Sequence, residues 1–387
     1  MPTFKLDGKE IPFDMGDTII VAASRQGIEI PYYCWHEGLS IVANCRMCLV
    51  EIKSDRPMML PILAWDEKKK EYVPDTKVKL LPACQTPAQE GMEVFSETEN
   101  VRKTRAAVQE FMLLDHPVDC PICDQAGECK LQDYWESQHG ALKRKRGEPV
   151  HKPKSVSFGP TITYDGERCI TCTRCVRICD EVAHDHVLDE RERGNKTEIT
   201  VSKGRELDHR YTLMTAQHCP VGALTAKHFR FKARAWFLRT AMSVCPGCAT
   251  GCNSFIDFDP RSMRVYRLRA RKNMAVNKFW MCDDGVMSYQ RIVEGRVTEG
   301  VIRNGSRSSS SPEATVEAAA KALGEVDGAK VAVVLSAQHP SEDNLLMARL
   351  AGEVLGSENL YLAALGEWEG DEILRHKDHN PNRAGAV

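Results

Sequence analysis

The sequence predicts an α+β chain of several domains, and three observations carry that expectation. Its 387 residues exceed what one hydrophobic core usually serves, at roughly 150 residues per domain. All sixteen cysteines fall between Cys34 and Cys282, so a cysteine-bearing part precedes a cysteine-free tail. Short strand-like runs fill the beginning of the chain, whereas helical and strand patterns alternate beyond Pro312.

Taken in order, Phe4 to Leu6, Met47 to Lys53, Lys77 to Leu81 and Met92 to Phe95 read as strands of a small, mainly β unit around one helix, Asp17 to Gln26. A helical pattern from Glu97 to Leu114 is stopped by His116-Pro117, and a second helix is expected from Lys130 to Gln138. The basic stretch Lys143-Arg-Lys-Arg146, continuing through Lys152 and Lys154 among Gly147, Pro149 and Pro153, reads as a linker or exposed loop. A cysteine-rich module follows from about Ser155 to Ala226. From Lys227 to Arg239, Phe229, Phe231, Trp236 and Phe237 interleave with Arg230, Lys232, Arg234 and Arg239. Single-stranded nucleic acid stacks on such surfaces, but packing between domains is the simpler expectation. Asn304-Gly305-Ser306 and Ser308 to Ser311 mark a linker. Then Pro312 to Leu323, Lys330 to Ser336, Ser341 to Leu355 and Asn359 to Ala363 alternate as helix, strand, helix, strand, a short α/β piece suited to docking or scaffolding. Gly324 and Gly328 do not form G-x-G-x-x-G, so nucleotide binding has no support there. The expected domains are 1–96, 97–142, 155–230, 240–300 and 312–387.

Charge is nearly balanced, 52 Lys+Arg against 54 Asp+Glu, which argues against a nucleic-acid binder or a polyanionic chaperone. A mean hydropathy of -0.37 and no apolar run near the 18 or so residues of a bilayer span predict a chain without a transmembrane helix. Met1-Pro-Thr-Phe-Lys-Leu-Asp7 lacks the charged-then-apolar pattern of a secretory signal, so a reducing compartment is expected and disulfides are disfavoured. Sixteen cysteines in such a chain are best used to hold metal.

The cysteines fall into four sets. The first is Cys34-x10-Cys45-x2-Cys48-x35-Cys84, a close pair flanked by two distant thiols, as plant-type ferredoxins hold a [2Fe-2S] cluster, though their first gap is shorter. Thr18 to Ala23 followed by Ile30-Pro-Tyr-Tyr-Cys34 places a helix just before a ligand loop, as in that ferredoxin-like β-grasp. A structural zinc is the alternative. The second, His116, Cys120, Cys123 and Cys129, could wrap one compact [4Fe-4S] core without help. A neutral imidazole there removes a negative charge and should raise the reduction potential, by analogy with Rieske centres. The third is the bacterial-ferredoxin-like run Cys169-x2-Cys172-x2-Cys175-x3-Cys179, with a remote Cys219-Pro220. Cys169, Cys172, Cys175 and Cys219 suffice for a second [4Fe-4S] cluster, leaving Cys179 as a buried free thiol. The fourth, Cys245-x2-Cys248-x3-Cys252 and the distant Cys282, again joins a triplet to a remote partner, with Pro246, Gly247 and Gly251 letting the backbone turn tightly around a third [4Fe-4S] cluster.

In this order the four sets resemble one family, the large iron-sulfur subunit of NADH:quinone oxidoreductase, respiratory complex I. The resemblance spans residues 1 to about 290. It is carried by His116-Pro-Val-Asp-Cys-Pro-Ile-Cys-Asp-Gln-Ala-Gly-Glu-Cys129, by Arg168-Cys-Ile-Thr-Cys-Thr-Arg-Cys-Val-Arg177, and by Asn273, Val276-Asn277 and Trp280-Met-Cys-Asp283. The last of these is similar to the iron-sulfur segment that opens molybdopterin-oxidoreductase-like domains. The resemblance implies an electron relay with no catalytic residue of its own. Electrons from NADH would reach it through a flavin/NADH-binding subunit and leave toward quinone through a quinone-side iron-sulfur subunit. Other peripheral-arm subunits are implied as partners, with no nucleic acid, on the cytoplasmic side of the inner membrane, while proton or ion translocation occurs elsewhere. The first three clusters would lie on or beside the electron path, and the fourth would be structural.

Two departures stand out. The tail after residue 312 is short for a molybdopterin-like domain, and Asp284 and Val286 stand where basic residues are expected after the last ligand. Rival expectations are the diaphorase subunit of a soluble NAD-linked hydrogenase or formate dehydrogenase, and, outside redox chemistry, a multi-zinc scaffold.

Overall fold

Alternating apolar and polar residues fold the beginning of the chain into a hairpin, β1 (Thr3–Leu6) and β2 (Lys9–Pro12), that turns Phe4, Leu6 and Ile11 inward. The computed structural model describes residues 1–53, 63–74, 79–139, 144–293, 295–297, 299–304 and 306–386. Its contacts divide the chain into two units, Met1–Phe237 and Leu238–Val387.

In the first unit, helix α1 (Ile19–Arg25) contributes Ile19, Ile20, Ala22 and Ala23 to a core shared with a five-stranded sheet. That sheet has the order β2-β1-β7-β3-β6, with β3 at Leu49–Lys53, β6 at Lys79–Pro82 and β7 at Glu93–Phe95. Only β1 and β7 pair in parallel. A side hairpin, β4 (Leu63–Asp66) with β5 (Glu71–Pro74), was not expected from the sequence. Lys77 and Val78, the start of the expected third strand, lie outside the described residues. Cys48 and Cys84 belong to the same core as Phe4 and Ile19, so the thiols are embedded in the packing rather than hung from a surface loop.

Helix α2 (Glu99–Leu113) starts at Thr98, whose hydroxyl accepts from Val101 N at 3.2 Å. Its buried stripe is Val101, Arg105 and Gln109, four residues apart on one face, which carries two polar side chains inside. Gln109 repays its burial with a 2.5 Å bond from Tyr33 Oη and a 2.9 Å bond to Leu131 O. The second expected helix is present and begins as α3 (Lys130–Tyr134), which widens into a π turn over Trp135–His139.

Beyond it come a three-stranded sheet of β8 (Val156–Ser157), β9 (Ile162–Tyr164) and β12 (Leu224–Ala226), and a hairpin of β10 (Leu188–Arg191) with β11 (Glu198–Val201). Helices α4 (Arg174–Arg177) and α5 (Thr212–Gln217) complete the unit. The basic stretch is an irregular, largely exposed loop, as expected, but its side chains are pinned. Arg144 makes a two-pronged bond to Glu110 at 2.7 and 2.6 Å, Lys145 pairs with Asp115, and Lys154 reaches Glu167 at 2.9 Å. Acidic partners far off in sequence pin it, and periodicity cannot reveal them. Lys143 lies outside the described residues.

The second unit opens with a meander, β13 (Arg239–Val244), β14 (Asn253–Phe258) and β15 (Val265–Ala270), against which α6 (Asp283–Val293) packs. The expected linker is instead a hairpin of β16 (Gly300–Asn304) and β17 (Ser306–Ser310). A run of serines reads as a linker from composition alone, whereas cross-strand pairing decides the structure here. After α7 (Pro312–Gly324), β18 (Ala332–Ser336), α8 (Ser341–Arg349) and β19 (Asn359–Ala363) form a parallel β-α-β unit, as the alternation predicted. Among the described residues no helix is long and apolar enough to cross a membrane.

Candidate metal centres

Sheet register assembles the first set. The ladder between β3 and β6 ends at Leu49 and Pro82 and is extended by Ala83 N donating to Cys48 O at 2.9 Å, which brings Cys48 and Cys84 side by side. Their side chains share a hydrogen bond, as do those of Cys34 and Cys45. In each pair the two sulfurs shift in opposite directions. Hydrogen bonding from Cys34 lowers Cys45 to about 6 while Cys34 rises, and Cys48 falls as Cys84 rises. Positive φ at Ala43 (50°) and Arg46 (59°) curls the chain tightly around Cys45. Two pairs of thiols suit two irons with two thiolates each. Among the described residues no three His, Cys, Asp or Glu are gathered as ligands of a single metal ion.

The second set lies on a short turn, where burial raises Cys123 and lifts Cys129 to about 12, each also feeling the charge of Cys120. Backbone N–H groups of Leu131 and Gln132 point at Cys129 and that of Gln125 at Cys123. His116 is half-buried and lies within electrostatic reach of Asp119. Asp119 in turn accepts from Arg168 Nη2 at 2.6 Å. The connector expected to pack between domains covers this turn. Arg234 donates to Cys123 O at 2.6 Å and to Pro121 O, and Phe231 N donates to Asp124 at 2.9 Å.

The second and third sets abut. Lys130 N donates to Pro220 O at 3.1 Å, and a Cβ on Gly222 would stand inside van der Waals contact with Cys123 Sγ. Gly222→Ala is therefore expected to force the two loops apart at a cost of about 1–3 kcal/mol, the usual range for overpacking. A urea melt with a lowered midpoint and unchanged slope checks this, and an unmoved midpoint would mean that the loops part freely.

Cys169, Cys172, Cys175 and Cys219 line one cavity, closed by Tyr164, Ile170, Ile199, Val221 and Leu224. Four thiols line it, and the rest of its wall is almost wholly apolar. Such a space could hold a four-iron core. Burial lifts Cys169 to about 12 and Cys172 to about 11. Thr171 N lies 3.4 Å from Cys169 Sγ, and the N–H groups of Val221, Ala223 and Leu224 face Cys219. Thr171 and Thr173 adopt positive φ, 50° and 58°, on either side of Cys172. Cys179 is buried but does not line the cavity, and its sulfur lies 3.3 Å from His209 Nε2. On a regular helix Cys175 and Cys179 would share a face, but a π turn over Ile178–Val182 separates them.

In the second unit Cys245, Cys248, Cys252 and Cys282 are all buried. Cys245 N donates to Cys252 O at 2.7 Å, closing the triplet loop, and Gly247 N lies 3.4 Å from Cys245 Sγ. Burial raises Cys245 to about 11 and Cys282 to about 12. Asp284, two residues after Cys282, is met by the tail: Arg375 Nη2 is 3.5 Å from it, and the Arg375 guanidinium stacks 3.6 Å over Trp368. The same segment holds the triplet loop, with Leu374 O accepting from Thr250 Oγ1 at 2.6 Å and Asp378 O from Ala249 N at 3.0 Å.

Three families of sequence match the first unit. Residues 1–99 match the 2Fe-2S iron-sulfur cluster binding domain, 105–139 the NADH-ubiquinone oxidoreductase-G iron-sulfur binding region, and 159–225 the ferredoxin-like domain of NADH-quinone oxidoreductase subunit 3. The chain is 33% identical to the G-type subunit of NADH-quinone oxidoreductase from Rickettsia conorii, over 93% of its own length and 50% of that protein. It is 32% identical to the NADH-ubiquinone oxidoreductase 75 kDa subunit of Reclinomonas americana, over 97% of this chain and 52% of the other. The chain belongs to this G-type, 75 kDa subunit family of NADH-quinone oxidoreductases. It spans about half the length of these relatives. A solved NAD+-reducing [NiFe]-hydrogenase, in its H2-reduced state, aligns with 60% of this chain and 91% of its own at 26% identity and a TM-score of 0.49.

In this member of the G-type family the thiols are evident from spacing, whereas the charges around them are not. Arg105 is fully buried, donates to Leu49 O at 3.2 Å beside Cys48, and puts a positive charge on that thiol's side of the core. Arg174 and Arg177, in sequence no more than letters of a motif, are buried among the ligand loops. Their signal was a charge inside the cysteine run, which a pattern of ligands alone does not weigh.

Proposed function

We propose that this chain is an electron-relay subunit of NADH:quinone oxidoreductase, passing electrons from a flavin/NADH-binding subunit toward a quinone-side iron-sulfur subunit. Cys34, Cys45, Cys48 and Cys84 would hold a [2Fe-2S] cluster. Three [4Fe-4S] clusters would be held by His116, Cys120, Cys123 and Cys129, by Cys169, Cys172, Cys175 and Cys219, and by Cys245, Cys248, Cys252 and Cys282. The corresponding domains are 1–96, 97–142, 155–230 and 240–300, with 312–387 as a docking piece.

The observation that carries this reading is the cavity walled by four thiols and apolar side chains, on a chain whose modules match iron-sulfur families. Bound there, the clusters would supply one-electron carriers. The chain's own work is to set their potentials and keep water out. Apolar walls such as Tyr164 and Ile199 exclude solvent, and backbone N–H groups aimed at sulfur favour the more negative, reduced state. Buried thiols resist ionisation, so loading the sites releases protons and is favoured by higher pH.

Iron and acid-labile sulfide in anaerobically purified protein are expected at about 14 of each per chain, with reduced-state paramagnetic signals from two-iron and four-iron centres. Stoichiometric zinc without sulfide would overturn the relay.

A further inference from the structure

Arg174 and Arg177 stand at the two ends of α4, 6% and 8% exposed, and each grips two segments far apart in sequence. Arg177 Nη2 donates to Cys34 O at 2.6 Å and to Cys172 O at 3.1 Å, so one nitrogen ties a first-set residue to a third-set residue. Its Nη1 donates to Ser40 O at 2.6 Å and its Nε to Thr173 Oγ1 at 3.3 Å. Arg174 repeats the arrangement with Trp35 O at 2.6 Å and His218 O at 3.1 Å, the neighbours of Cys34 and Cys219. Asn44 Nδ2 adds a third link, to Thr171 O at 3.2 Å.

Two guanidiniums thus link the same pair of thiol sets. The planar fork matters, because a lysine ammonium is a compact point charge and lacks that fixed geometry. The charge matters as well. Arg177 sits in low dielectric, where a positive charge acts strongly on negative charge added at either neighbour, and both Cys34 and Cys172 feel it.

We infer that Arg177 is a positioning residue joining the first and third centres: it fixes their separation and raises both reduction potentials together, with Arg174 as a second strut. This rests on the cluster assignment proposed above, and the experiment separates the two. The full chain, anaerobically purified with its metal, is titrated redox-potentiometrically with electron paramagnetic resonance as the readout, for wild type, Arg177→Met and Arg177→Lys.

In Arg177→Met the reduced-to-oxidised ratios of the two-iron signal and of the third-set four-iron signal should each fall about tenfold at fixed poise, equivalent to about 59 mV for a one-electron couple. The other four-iron signals should not move. Arg177→Lys should restore the potentials while the spin–spin broadening between the two signals stays altered, since charge returns without the fork. Unmoved potentials in an Arg177→Met protein that keeps both signals would overturn the inference. If Arg177→Met does not assemble, unaltered coupling in Arg177→Lys overturns it instead. Absence of both signals from wild type would overturn the cluster assignment rather than the bridge.

Discussion

Cys219→Ala is expected to remove one four-iron centre outright, taking the iron count from about 14 to about 10 per chain with a matching loss of sulfide. The reason is geometric. Three thiols of the cavity come from one loop, and Cys219 alone closes it from the other side. No substitute is at hand, because Cys179 does not line the cavity and its sulfur lies beside His209. Cys179→Ala is accordingly the control and should retain all the iron. Metal analysis of both variants beside wild type reads the result. Full iron in Cys219→Ala, or a loss of about four in Cys179→Ala, would mean that the third ligand set is wrongly drawn.

Asp257→Asn is expected to cost the second unit about 3 kcal/mol, at the low end of the 3–5 kcal/mol range for breaking a buried ion pair. Asp257 is 1% exposed in β14 and accepts from Arg267 Nε at 2.7 Å, from Arg269 Nε and Nη2 at 2.7 and 3.0 Å, and from Thr240 Oγ1 at 2.7 Å. It thus ties all three strands of the meander. The two arginine side chains are 13% and 31% exposed, and water softens what they lose, hence the low end. Burial pushes this carboxyl up, but the Arg269 bond and the two guanidinium charges outweigh it and hold the group below its ordinary value. A depressed carboxylate stabilises the fold above its unfolded pKa of about 3.9 and loses that contribution as pH falls through the folded value. The gap between wild type and Asp257→Asn in thermal melts should therefore be full near neutrality and shrink below about pH 4. A gap that is constant down to the lowest pH would mean that the charge of Asp257 contributes nothing.

The grouping of the thiols was legible because it is written in spacing. Cys45-x2-Cys48 and the run from Cys169 to Cys175 must be close wherever the chain goes, so reading them needed no fold. Partners at a distance were legible only as remainders, as with Cys84, Cys219 and Cys282. Periodicity recovered the β-α-β tail but not the side hairpin at Leu63–Pro74 or the hairpin after Gly300, where strands of four or five residues are too short to show a period. Strain was invisible as well. Positive φ at Ala43, Arg46, Thr171 and Thr173 falls on residues that do not advertise it as glycine would, and it is imposed by loops wrapping sulfur toward a common centre. The pinned basic stretch was hidden for another reason, since whether Lys154 is free or paired depends on where Glu167 ends up.

The clamp on α4 also bears on how the protein is made. Cys34 O meets Arg177 only across 143 positions of sequence, and Ser40 waits equally for Arg177 and Glu181. During vectorial synthesis the N-terminal module leaves the ribosome with its sheet and helix able to close, yet with the Cys34–Ser40 loop lacking the donors that finish it. That loop matures only after Glu181 has emerged, so the nascent chain passes through a stage with an open thiol loop and no clamp. A fragment ending near residue 99 is frozen at that stage. Long-range closure of this kind slows folding and makes the unfinished intermediate the species most exposed to aggregation.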